Sequence, residues 1–251
     1  MSRYYELMQQ MERDQPVFAE PTVGSTLPAP LESPNRPAVH QVTSDLVLGL
    51  VQRIFLEPLE QTQQFPRVVV FAGIDHGSGC SQIAASVAHT LAANAPAAVC
   101  LAEANFRSPT LSEMLGTTNH HGLTNALVEQ GSIYSFTQPV RNRSLWVLSS
   151  GPIAADSPKL LTSDRMRARF AELRKEFDFV IVDAPPMTEY ADAIALGQLC
   201  DGVVVVLEAG STRRKAARHA VETLRSCRVQ VLGAVLNKRT FPIPEKIYSR
   251  I

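Results

Sequence analysis

The sequence predicts an α/β fold: a doubly wound, three-layer sandwich around a mostly parallel sheet, preceded by N-terminal helices and a proline-rich linker. Three observations carry this. From Arg67 onward, short apolar runs alternate with longer segments of helical periodicity. The runs, such as VVVFA at 68–72, FVIV at 179–182 and VVVVL at 203–207, are continuous rather than alternating, as in strands buried on both faces. The stretch Val68–Ala85, VVVFAGIDHGSGCSQIAA, joins one such run to a helix through a glycine-spaced turn. In folds of this class ligands gather beyond the carboxyl ends of the strands.

The elements follow in order. Tyr4, Leu7, Met8 and Met11 lie at helical spacing, so residues 1–14 are expected to form an amphipathic helix. Residues 15–43 are rich in proline, with six between 15 and 41, and read as a flexible linker. Ser44-Asp45 offers N-cap chemistry for a leading helix over 44–58, ended by Pro58. The strand Val68–Ala72 then leads to a helix from Cys80 to about Asn94. Strand Ala97–Ala102 leads to short helices at Leu111–Leu115 and Leu123–Val128. Strand Leu145–Leu148 precedes a long helix from Pro158 to Lys175. Strand Phe179–Val182, helix Asp192–Leu199, strand Val203–Leu207, helix Arg213–Ser226 and strand Gln230–Leu236 complete the set. The α/β domain is expected over 44–240, with a tail at 241–251.

Bulk properties narrow the function. The chain of 251 residues suits one sizeable domain with an appendage. No apolar run is long enough to span a bilayer, and the polar opening MSRYYELMQQMERDQ lacks the apolar stretch of a signal peptide. A cytoplasmic location is the expectation. The four cysteines, at 80, 100, 200 and 227, are scattered with no C-x-x-C pair and read as reduced core residues. Net charge is zero: residues 1–64 carry 4 basic and 8 acidic side chains, and residues 65–251 carry 20 and 16. That balance speaks against a nucleic-acid partner.

Four strand ends should share one edge of the sheet. The first is the loop Gly77-Ser78-Gly79-Cys80-Ser81-Gln82, whose backbone N–H groups and helix start form an anion cradle. It resembles the phosphate-loop pattern G-x-x-x-x-G-K-[ST], with Gly79 and the magnesium-type hydroxyl of Ser81 in place, Cys80 where lysine stands and Ile74 where the first glycine stands. The second is Glu103-Ala104-Asn105-Phe106-Arg107-Ser108-Pro109, the third Asp183-Ala184-Pro185-Pro186, and the fourth Asn237. An acid at the end of a buried strand beside a phosphate loop is where Mg²⁺ or its water would be held, so Ser81, Glu103 and Asp183 are candidate metal ligands. His120-His121 has no ligand partners at metal spacing. Arg213-Arg214-Lys215 with Arg218 reads as a solvated helix face.

At these residues the chain resembles the bacterial tyrosine kinases of capsule and exopolysaccharide synthesis, P-loop proteins related to the MinD and ParA ATPases. Residues 103–109 are similar to that family's D-A-D-L-R-x-P motif. Gly122-Leu123-Thr124-Asn125-Ala126-Leu127 is similar to G-L-S-D-x-L, and Leu148-Ser149-Ser150-Gly151-Pro152 to L-P-x-G-x. Leu160–Met166 is similar to L-L-x-S-x-x-M, and Phe177–Pro186 to F-D-x-V-I-I-D-T-P-P. The resemblance covers roughly residues 65–240. It implies ATP/ADP with Mg²⁺ as cofactors, Glu103 and Asp183 as the acids handling metal and hydroxyl, and Asn237 as the adenine-reading position. It also implies Tyr248 as a phosphoacceptor, a homo-oligomer, and a membrane-embedded polysaccharide chain-length regulator that would bring the chain to the inner membrane.

The departures point to weakened chemistry. Cys80 replaces the loop lysine, Asp75 stands where the MinD branch has a second lysine, and Asn105 replaces an acid. Of the oligomerisation motif E-x-x-R-x-x-R the register holds Val47, Leu50 and Arg53, so only the last arginine is kept. A thiol at a helix N-terminus could become an anion facing the phosphates, and His76 offers some positive charge, but only when protonated. The expectation is therefore a kinase-like protein weak or inactive in tyrosine phosphorylation. An active autokinase with a partner-supplied cation, and a MinD/ParA-like positioning ATPase, are the alternatives. Cys80 reads as a drifted lysine position, with a redox sensor as its alternative.

Overall fold

The computed structural model describes residues 44–55, 67–94, 96–140, 144–153 and 156–239. The expected N-terminal helix, the linker, the stop at Pro58 and the tail with Tyr248 lie outside these. The elements are α1 (Ser44–Phe55), β1 (Val68–Gly73), α2 (Cys80–Asn94), β2 (Val99–Glu103), α3 (Leu111–Leu115), α4 (Leu123–Val128), β3 (Gln138–Pro139) and β4 (Leu145–Leu148). They continue with α5 (Asp164–Glu176), β5 (Phe179–Ala184), α6 (Asp192–Gly197), β6 (Gly202–Glu208), α7 (Arg214–Ser226) and β7 (Val231–Asn237). Short 3₁₀ turns sit at Ile133–Phe136 and Ser157–Thr162.

The strands form one sheet in the order β3-β4-β2-β5-β1-β6-β7, parallel except for β3 against β4. This is the doubly wound α/β class expected. Every residue of β1, β2 and β5 is buried, because helices cover both faces. Alternation along β1 sends Val69 and Phe71 into one core and Val68, Val70 and Ala72 into the other. The first core holds α1, α2 and Leu111. The second holds α4, α5, α6 and α7. In α2 the residues Ile83, Ala84, Val87, Ala88 and Leu91 form the helical stripe that meets the sheet. Of the cysteines expected in the core, Cys100 is buried, and Cys80, Cys200 and Cys227 are partly exposed.

Several boundaries differ from the sequence reading, each for a local reason. The segment 158–175 is two elements, since the Ser163 side chain accepts from Met166 N–H and starts α5 afresh after a 3₁₀ turn. The two-residue strand β3 leaves no periodic trace, and its Pro139 is tolerated on the sheet edge. β5 runs on through Asp183 and Ala184, which pair in register with Phe71 and Ala72 of β1. The candidate acids Glu103 and Asp183 are thus strand residues, facing each other across β2 and β5.

The opposite edge of the sheet is fastened by acids. Asp201 Oδ2 accepts from the N–H groups of Arg67 and Val68, and the Arg174 guanidinium grips both carboxylate oxygens at 2.8 and 3.0 Å. Asp178 Oδ2 accepts from Ala98 N–H at 2.9 Å. These bonds set where β1 and β2 begin, and so where they end.

Candidate functional site

β1 ends in Gly73, and the chain bends through residues 74–79 before α2. Gly77 and Gly79 have φ of 80° and 81°, the left-handed region that side chains avoid. At Gly79 a Cβ would also lie 2.3 Å from Asn237 Nδ2, so the Asn237 amide would have to move. The first N–H groups of α2 have no acceptor within the helix, and no acid sits in its first turn to occupy the positive dipole end. The result is a bend of the kind that suits an anion, opening on a cavity of about 360 Å³.

Gly77, Ser78, Gly79, Cys80, Ser81 and Gln82 all line that cavity. Asn105, Ser108 and Thr110 close it from the β2 side, with Ala184 and Pro186 from β5. Asp75 and His76 also stand on its wall. Among the described residues lining it there is no lysine or arginine.

Under the loop sits Asp183, fully buried. Its Oδ2 accepts from Ser81 Oγ at 2.6 Å, and its Oδ1 is buried with no hydrogen-bond partner. Burial pushes the carboxyl up to about 7; the Ser81 bond opposes this, and the nearby Glu103 charge adds to it. Burial, and then the Asp183 carboxylate, push the Cys80 thiol well above its ordinary value. Cys80 therefore keeps its proton. The expectation of a thiolate is reversed, because desolvation and a neighbouring acid outweigh the helix dipole.

Glu103, the candidate metal acid, has its carboxylate engaged by backbone N–H groups. It is fully buried, and its Oε1 accepts from the N–H groups of Thr110 and Leu111 while Oε2 accepts from Ser150 N–H. These bonds place the carboxylate at the start of α3 and the loop after β4, and Glu103 does not line the cavity. Asn105 Oδ1 accepts from the N–H groups of Arg107 and Ser108, ordering the same loop. Arg107 turns away to Asp192, at 3.4 Å, and stacks over the Tyr190 ring.

Asn237 ends β7 behind the loop. Its Nδ2 donates to Ser78 O at 2.9 Å, so the amide expected to read adenine is engaged with the loop backbone. The next residue, Lys238, escaped the sequence reading. Its Nζ donates to Gly77 O at 2.6 Å and to Glu208 Oε1 at 3.0 Å. Its signal was a cation directly following Asn237 on the edge where the loop lies. Arg213, Arg214, Lys215 and Arg218 are exposed, as expected of a solvated face. Among the described residues no cluster of three or more His, Cys, Asp or Glu could hold a metal, and no helix is long and apolar enough to cross a membrane.

Comparison with known proteins agrees with this geometry. The ParA family model, described as NUBPL iron-transfer P-loop NTPase, matches residues 66–249. Tyrosine-protein kinase YwqD of Bacillus subtilis (strain 168) is 36% identical over 161 residues, 64% of this chain and 68% of that one. Succinoglycan biosynthesis transport protein ExoP of Rhizobium meliloti (strain 1021) is 30% identical over 175 residues, 68% of this chain but 22% of that one. The crystal structure of the chimerical protein CapA2B2 shares the fold with a TM-score of 0.73 at 24% identity, over 81% of this chain and 88% of that one. The chain belongs to the ParA-type P-loop NTPases, among the bacterial tyrosine kinases.

Proposed function

We propose that the chain is a tyrosine-kinase-like P-loop protein of capsule or exopolysaccharide biosynthesis that holds nucleotide weakly and transfers phosphoryl groups poorly. Its action runs through a membrane-embedded chain-length regulator, the partner the family resemblance implies. The polysaccharide assignment draws on relatives such as ExoP, named for succinoglycan biosynthesis.

The observation that carries the weak-binding reading is a cavity wall without lysine or arginine, with a protonated Cys80 in the lysine's place. The rest of the site fits a magnesium nucleotide. The orphaned Asp183 Oδ1 beside the Ser81 hydroxyl is a donor set for a hydrated divalent cation, and the loop N–H groups suit phosphate oxygens. Bound Mg-ATP would supply the transferable γ-phosphoryl group. Ser81 and Asp183 would hold the metal, and the loop from Gly77 to Gln82 would hold the phosphates. What the described lining lacks is a lysine or arginine where charge spreads during transfer. A hydrogen bond to a charged group contributes about 1.5–3 kcal/mol, so its loss costs roughly 10- to 100-fold in affinity.

Incubation with γ-labelled ATP and Mg²⁺ tests the reading. The expected result is little label on Tyr248 in the wild type and more in Cys80→Lys. Robust labelling of the wild type at Tyr248, unchanged in Cys80→Lys, would contradict it.

A further inference from the structure

We propose that Lys238 is a positioning residue of the phosphate loop: with Asn237 it holds two successive loop carbonyls outward and so aims the following two N–H groups at the cavity. The proposal rests on reading this loop as a nucleotide-phosphate site, and it adds the device that keeps the loop in binding shape without its lysine.

Lys238 Nζ donates to Gly77 O at 2.6 Å, and Asn237 Nδ2 to Ser78 O at 2.9 Å. No peptide in the described residues is cis. In a trans peptide the carbonyl and the following N–H point in opposite directions. Holding the Gly77 and Ser78 carbonyls toward β7 therefore turns the N–H groups of Ser78 and Gly79 to the other side of the loop. Ser78 N–H makes a long bond, 3.4 Å, across the turn to Asp75 O, an interaction weak enough to yield to an anion. The left-handed φ at Gly77 and Gly79 lets the backbone accept this arrangement.

Lys238 is itself held in place. It adopts φ of 56°, uncommon for a lysine, directly after β7. Glu208 of β6 binds its ammonium at 3.0 Å and pairs in register with Asn237. Lys238 does not line the cavity, so its charge acts through the loop. An ammonium on the Gly77 carbonyl polarises that peptide and makes Ser78 N–H a stronger donor. Positive charge reaches the phosphates from behind the loop, where the usual lysine would reach them from its end. Glu208 tempers this charge.

The test uses the full chain labelled with ¹⁵N, as wild type, Lys238→Met, Lys238→Arg and Glu208→Gln, with amide spectra and ADP titrations. Lys238→Met is expected to shift the Ser78 and Gly79 amide resonances and weaken ADP about fivefold, and Lys238→Arg to recover most of both. Unmoved Ser78 and Gly79 resonances in a folded Lys238→Met would overturn the proposal. If Lys238→Met does not fold, Glu208→Gln decides through the same amides, since it alters the ammonium that holds Gly77 O: moved Ser78 and Gly79 resonances support the role, and unmoved ones refute it. Failure of the wild type to bind ADP at all would sink the nucleotide reading instead, and the amide shifts would still judge Lys238.

Discussion

Asp183 couples the site to pH. Its carboxyl, raised to about 7 chiefly by burial, favours the proton in the folded chain more than in the unfolded one. The stability this lends is fully present below the unfolded value of about 3.9 and is lost as pH rises through 7. Asp183→Asn keeps an acceptor for Ser81 and has no charge to bury. It is expected to be more stable than the wild type at pH 8, by at most on the order of 4 kcal/mol, with the gap closing toward pH 4. Thermal melts across that range check it, and a gap independent of pH would contradict the burial argument. The same residue shows what was legible at this scale. An acid at the end of an apolar run beside a glycine loop could be read directly, but its ionisation could not. The proton on Cys80 was likewise hidden, because it depends on Asp183, which lies 103 positions further along the sequence.

Among the elements, Glu103 ties β2 to the start of α3 and to the loop after β4 through three backbone N–H groups. Glu103→Gln keeps the shape and removes the charge that strengthens those bonds. A loss of about 1–3 kcal/mol in urea unfolding is expected, with Mg-nucleotide affinity little changed. Unchanged stability with abolished metal-dependent binding would return Glu103 to the metal site. Strands β1, β2, β4, β5, β6 and β7 and helices α2, α3, α4 and α7 were readable because their apolar residues are continuous or helically spaced. The two-residue β3 and the break at Ser163 were not, since each depends on a cap or a pairing rather than on periodicity. Lys238 belongs with these: its partner carbonyl lies 161 positions away.

Across the whole molecule, the sheet order brings the ends of β1, β2, β5 and β7 to one edge, so residues near 79, 103, 183 and 237 become neighbours. Asp201 fastens the other edge with backbone and guanidinium bonds. Removing it in Asp201→Ala leaves two strand-start N–H groups and Arg174 without their acid. A destabilisation of about 2–4 kcal/mol is expected in urea unfolding, and a loss below 1 kcal/mol would show that this edge does not set the strand register. On the proposed reading, the loop, the buried acid and the cavity are a phosphate site whose described lining holds no lysine or arginine. Calorimetric titration of wild type and Cys80→Lys with Mg-ATP tests this most directly. The expected result is a wild-type dissociation constant above roughly 0.1 mM and a Cys80→Lys value about 10- to 100-fold tighter. Micromolar binding by the wild type, with no gain in Cys80→Lys, would contradict it.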